Sequence, residues 1–182
     1  MTTQITAELA AQHEAARKAA AQAGPTDGDK LIAALGQFGI PAFFAEDCGV
    51  SYVLVGVDRT ADEGDAHTGP KVFLYSEENA DLTPEQHTEP WAAALYDGEG
   101  EFSHVLFTAQ AGLDLDAECA HAALCLACWL TAHGGDYPRA RPEPAKAERG
   151  PGEGVVYGRL PGSGGRTRGR SVADVMFGSL GR

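Results

Sequence analysis

Lysine is scarce in this chain. It occurs four times against ten arginines in 182 residues, and from Val72 to Pro138 there is neither Lys nor Arg. The formal net charge is −12, which argues against binding of the whole molecule to nucleic acid or to an anionic membrane. The N-terminus MTTQITAELAAQHEAARKAA lacks the apolar core of a secretory signal. No run reads as a transmembrane segment, so the expected location is cytoplasmic. Disulfide patterning is also missing: three of the four cysteines crowd into one stretch, Asp116–His133, and read as reduced thiols. There is no HExxH, no nucleophile elbow, no phosphate loop with its Lys and no dinucleotide fingerprint, so no cofactor is expected. Internal repeats are absent. The abundance of Ala and Gly, with Arg preferred to Lys, matches a high-GC bacterial genome of the actinomycete kind.

What is present centres on DAECAHAALCLACWLTAH (116–133), an apolar-rich run without Pro or Gly. Asp114 or Asp116 can cap its start, and Gly134-Gly135 can end it. Its polar side chains, Glu118, His121, Thr131 and His133, do not gather on one side, so a buried helix is expected. Upstream, Thr3 or Thr6 can cap a helix reaching about Ala23, Ala-rich and short of large anchors beyond Ile5 and Leu9. DKLIAALGQFG (29–39) reads as a second helix with Leu31, Ile32, Leu35 and Phe38 on one side. Residues 42–46 and 50–58, joined by Asp47-Cys48-Gly49, read as a hairpin, and 71–76 as a third strand after an acidic loop from Arg59 to Pro70. Thr83-Pro84-Glu85-Gln86 has the spacing of a capping box and predicts one helical turn. Residues 91–96 and 101–109 make a second hairpin. The fold class expected is α+β: a mainly antiparallel sheet of four or five strands, covered by two helices. The domain would span 27–135, preceded by the helical residues 1–26.

Charge changes sign along the chain. Residues 1–135 hold 5 basic and 21 acidic side chains, net −16, whereas 136–182 hold 9 basic and 5 acidic, net +4. Residues 136–170 are rich in Pro, Gly and Arg and read as a flexible linker, in which Val155–Leu160 can add a short edge strand. Residues 171–182 differ again: Val172, Val175, Met176, Phe177 and Leu180 concentrate apolar surface on a tethered end, as a docking segment does.

Four candidate sites follow. Glu118, His121, Cys125 and Cys128 share one side of the central helix, within about 80°. His121 and Cys128 stand roughly 10 Å apart along its axis, too far to share one zinc ion at bonds of about 2.0–2.3 Å. Only a neighbouring pair, His121 with Cys125 or Cys125 with Cys128, can contribute, the remainder coming from Cys48, His104 or elsewhere. Cysteine as a small core residue is the simpler reading. Cys125-Leu-Ala-Cys128 also has redox spacing, but it lies deep in the helix rather than at the N-terminus that lowers thiol pKa. His104, near Glu99 and Glu101, is the candidate for general acid–base chemistry. Arg166, Arg168 and Arg170 lie in a Gly-containing stretch, and Arg168-Gly169-Arg170 matches the centre of a minor-groove AT-hook without its flanking prolines; a solvated linker is preferred there.

The chain end, Met176-Phe177-Gly178-Ser179-Leu180-Gly181-Arg182, resembles the cargo-loading peptides of encapsulin shell systems. These pair an apolar residue with Gly-Ser-Leu and a following basic residue; here Gly181 intervenes before Arg182. The resemblance implies docking to a shell protein. The reading preferred for the whole chain is a non-catalytic accessory or interaction protein that binds a protein partner through its C-terminal segment. A small enzyme, an encapsulin cargo, and an accessory protein of a bacterial mobile element are the alternatives.

Overall fold

The computed structural model describes residues 2–77 and 79–133. Four helices and five strands follow in the order α1 (Thr2–Gln22), α2 (Asp27–Gly36), β1 (Phe43–Asp47), β2 (Val50–Gly56), α3 (Glu63–Thr68), β3 (Lys71–Tyr75), β4 (Ala92–Tyr96), β5 (Phe102–Thr108) and α4 (Leu115–His133). The strands form one antiparallel meander, β1-β2-β3-β4-β5. The fold is α+β.

Local chemistry sets the turns. Cys48 and Gly49 both take positive φ, 54° and 83°, as a tight two-residue hairpin between twisted strands demands. At the β4–β5 turn, Asp97 Oδ1 accepts the Glu99 and Glu101 amides, both at 2.9 Å. Gly100 there takes φ 84°. Register shifts interrupt the β4–β5 ladder between Ala93 and Ala94 and between Leu95 and Tyr96.

Alternation along the strands builds two different faces. Val53, Val55, Val72, Leu74, Ala93 and Leu95 are buried in the main core with Leu31, Leu35, Leu126 and Leu130 of α2 and α4. The other face carries a row of rings from β2 to β5. Tyr52–Phe73 centroids are 4.1 Å apart, Phe73–Tyr96 4.3 Å and Tyr96–Phe102 5.8 Å. Burial raises the pKa of the Tyr96 phenol to about 12.

The segment Arg59–Pro70, expected as loop, contains α3. Asp62 caps it by accepting the Asp65 amide at 2.9 Å. A side chain at Gly56 would meet Ala61 and Ala66, so this segment lies over the ring-bearing face. Lys71 donates to the His67 carbonyl at the end of α3, and burial lowers its pKa.

α1 packs across α2 and α4. Its lack of large anchors does not make the contact loose: Ala16 and Ala20 are fully buried, because small side chains let helix backbones approach closely. Lys30 of α2 ties the group together, donating to the Ala20 carbonyl at 3.0 Å and to Asp116 Oδ1 at 2.9 Å.

α4 is the one described helix long and apolar enough by composition to cross a membrane. In the fold it is a core helix, with Cys119, Ala120, Ala122, Ala123, Leu126 and Leu130 buried. Burial is not uniform around it, since Cys128 and the last turn are exposed.

Candidate functional site

The polar groups that the fold gathers lie where α2, α4 and the segment joining β3 to β4 meet. Thr26 caps α2 in a reciprocal box with Asp29, which puts Asp27 in the first helical turn, where a negative charge is favoured. The Asp27 side chain is completely buried. Its Oδ1 accepts the Gly28 amide at 2.8 Å and the Leu82 amide at 3.1 Å. The Asp27 amide donates in turn to the Leu82 carbonyl at 2.8 Å, and the Gly28 amide to Ala80 at 3.0 Å. Backbone therefore lies directly on Gly28. Any Cβ at that position would collide with the Ala80 carbonyl oxygen.

The joining segment is fastened at several points. Buried Ser51 of β2 accepts the Ala80 amide at 2.8 Å and donates to Asp81 at 3.1 Å. Ser76 donates to the Glu89 carbonyl at 2.7 Å. The turn expected at Thr83 forms, with the His87 amide on the Thr83 carbonyl at 3.2 Å and the Thr83 amide on Gln86 Oε1 at 3.1 Å. This turn delivers His87 inward, its side chain only 5% exposed.

His87 lies between two acids. Nδ1 is 3.0 Å from Asp27 Oδ2 and Nε2 is 3.3 Å from Glu118 Oε1. Glu118, on the first turns of α4, also accepts the Trp91 amide at 2.7 Å, and the Trp91 ring lies 5.5 Å from the imidazole. Burial alone would lower the His87 pKa. Hydrogen bonds to Asp27 and Glu118, with the charges of the same two groups, outweigh it and raise the value to about 9. At neutral pH the ring is an imidazolium donating from both nitrogens. It has no free lone pair to take a proton, and it lies apart from bulk solvent. Such a group holds three segments together; it is poorly suited to act as a base.

The residues singled out by sequence fall elsewhere. His121 is half-buried; its Nδ1 accepts the Gln110 amide at 3.3 Å and its Nε2 is 3.8 Å from Cys125 Sγ. The ring is thus set to present N–H, not a lone pair, toward the sulfur. Cys128 is exposed and Cys125 intermediate, and burial raises the Cys125 pKa. Neither is the packed core cysteine expected; that role belongs to Cys119, whose thiol burial pushes far up. Cys48 is exposed beside β1, and burial at the sheet's far side does not reach His104, exposed on β5. As they lie toward opposite edges of the sheet, Cys48 and His104 do not serve one ion together. Among the described residues no group of three or more His, Cys, Asp or Glu is arranged to hold a metal. His104 Nδ1 is 2.9 Å from Ser103 Oγ. Val172, Val175, Met176, Phe177 and Leu180, Arg166, Arg168 and Arg170, and the strand expected at Val155–Leu160 lie outside the described residues.

Sequence reasoning missed His87. Its one local signal was the Thr83–Gln86 turn just before it, while its partners stand 60 and 31 residues away. Comparison of the chain with protein families, curated proteins and solved structures finds no match.

Proposed function

We propose that this protein is a non-catalytic accessory or interaction protein that docks to a protein partner through its C-terminal segment, Ser171–Arg182. The observation that carries the non-catalytic half is the engagement of His87. The buried cluster of Asp27, His87 and Glu118 has both imidazole nitrogens directed at carboxylates and the ring shut away, so its chemistry is spent on holding the fold. The docking half is supported by composition. Val172, Val175, Met176, Phe177 and Leu180 place five apolar side chains within twelve residues, after a Gly-, Pro- and Arg-rich stretch. Burying three or four of them in a groove contributes a few kcal/mol at about 25 cal/mol per Å².

The experiment is partner capture with the full chain and with a Phe177→Ala/Leu180→Ala variant, read by mass spectrometry, with circular dichroism to confirm the fold. Capture should be lost in the variant. Recovery of the same partners by both proteins would sink the reading. The resemblance of Met176–Arg182 to cargo-loading peptides supports a narrower form, in which the partner is an encapsulin-type shell. Co-purification with such a shell, abolished by the same substitutions, is its test.

A further inference from the structure

Strand β5 closes the described sheet on one side, with β4 as its only neighbour. An edge strand presents a row of unpaired amides and carbonyls, which proteins ordinarily protect with Lys, Pro or inward charge. β5 carries none of these. Its sequence is FSHVLFT, and no Lys or Arg occurs anywhere from Val72 to Pro138. Only the two register shifts against β4 disturb it. Phe102 and Val105 are 42% and 48% exposed, two of the three exposed large apolar side chains among the described residues. They pair with Tyr96 and Ala94 and so lie on the ring-bearing face. Phe102 is therefore the exposed end of the row running through Tyr52, Phe73 and Tyr96. A further strand would continue that row rather than start a new surface.

Charge selects the occupant. The turn leading into β5 exposes Glu99 and Glu101, with Asp97 beneath them binding their amides. A second copy of this edge brings no Lys or Arg to Glu99 and Glu101, because none occurs from Val72 to Pro138, and a parallel pairing would set the same acids against one another. We propose that β5 takes up an extended segment of a partner protein in which apolar and basic residues alternate. The segment adds a sixth strand through its backbone. Its apolar side chains rest on Phe102 and Val105, and its Lys or Arg side chains face Glu99 and Glu101. The proposal is separate from docking by the C-terminal segment and stands or falls alone.

The test titrates the full isotope-labelled chain with two synthetic hexapeptides, one alternating Arg and Val, the other Glu and Val, following amide resonances. The Arg-Val peptide should shift Phe102–Thr108 and bind at least about tenfold more tightly than the Glu-Val peptide, a difference of roughly 1.4 kcal/mol. Phe102→Ser/Val105→Ser and, separately, Glu99→Gln/Glu101→Gln should each weaken it severalfold without changing the rest of the spectrum. Added salt should weaken it too. Equal binding of the two peptides, shifts centred on β1 or elsewhere, or no binding would overturn the proposal. So would slow hydrogen exchange of the outward β5 amides before any peptide is added. Loss of that protection on dilution would point to a second copy, and its persistence to a segment of the same chain.

Discussion

At the scale of single residues, His87 has the largest consequence for pH dependence. Its pKa rises from 6.5 unfolded to about 9 folded. A raised pKa means that the folded state binds the proton more tightly, so the stabilisation is complete below pH 6.5 and is lost as pH climbs through 9. The full effect is a few kcal/mol in size. Urea midpoints at pH 6 and pH 9.5 should show a clear fall for the native chain. His87→Gln should start lower at pH 6 and show a much smaller fall. Parallel pH curves for the two proteins would mean that the imidazolium contributes nothing. Gly28 is the second sensitive position. Gly28→Ala should destabilise by about 2–4 kcal/mol, because the methyl group can be placed only by moving the Ala80 backbone and breaking its hydrogen bond. An unchanged melting temperature would show that the joining segment yields easily.

At the scale of elements, α4 holds the helical layer to the sheet. Leu126 and Leu130 are buried in the core, so Leu126→Asp or Leu130→Asp should leave the body unfolded by circular dichroism, each burying an unpaired charge. Leu126→Ala should cost about 2–5 kcal/mol. Cys128→Ala and Cys125→Ala should each stay within about 1 kcal/mol, since the first thiol is exposed and the second half-covered. If either cysteine variant loses a bound metal that the native protein carries, the thiols have a role that their packing does not explain. Helix α1 depends on close approach through Ala16 and Ala20. That is a contact of small surfaces, and the Lys30 bridge to Ala20 and Asp116 supports it.

At the scale of the whole molecule, the described residues 2–77 and 79–133 group in one compact unit. Removing residues 138–182 should leave its thermal midpoint within a few degrees, as separable units share few buried contacts. A large drop, measured by calorimetry on both proteins, would show that Val155–Leu160 belongs to the sheet. Strong acidity of the body and a basic C-terminal portion also make any partner contact on the sheet edge sensitive to salt.

Local pattern in the sequence was enough for the elements. Alternation in 50–58 and 101–109, the long apolar run at 116–133, and turn chemistry at Cys48-Gly49 and Gly100 each act within a few residues. The α+β class and a mainly antiparallel sheet follow from them, whereas the meander order of the five strands and the small helix α3, marked by nothing stronger than Asp62, escaped. Tertiary structure alone decided which polar groups meet. Asp27 looked like a helix start, Glu118 like an interruption in an apolar helix, and His87 like a loop residue. Their bond to one another crosses 60 and 31 residues, and burial of a charge is settled by what the rest of the chain places around it. The same holds for α4, whose cysteines share a side in any helix, yet Cys119 is enclosed and Cys128 open because α1, α2 and the sheet cover only part of its circumference.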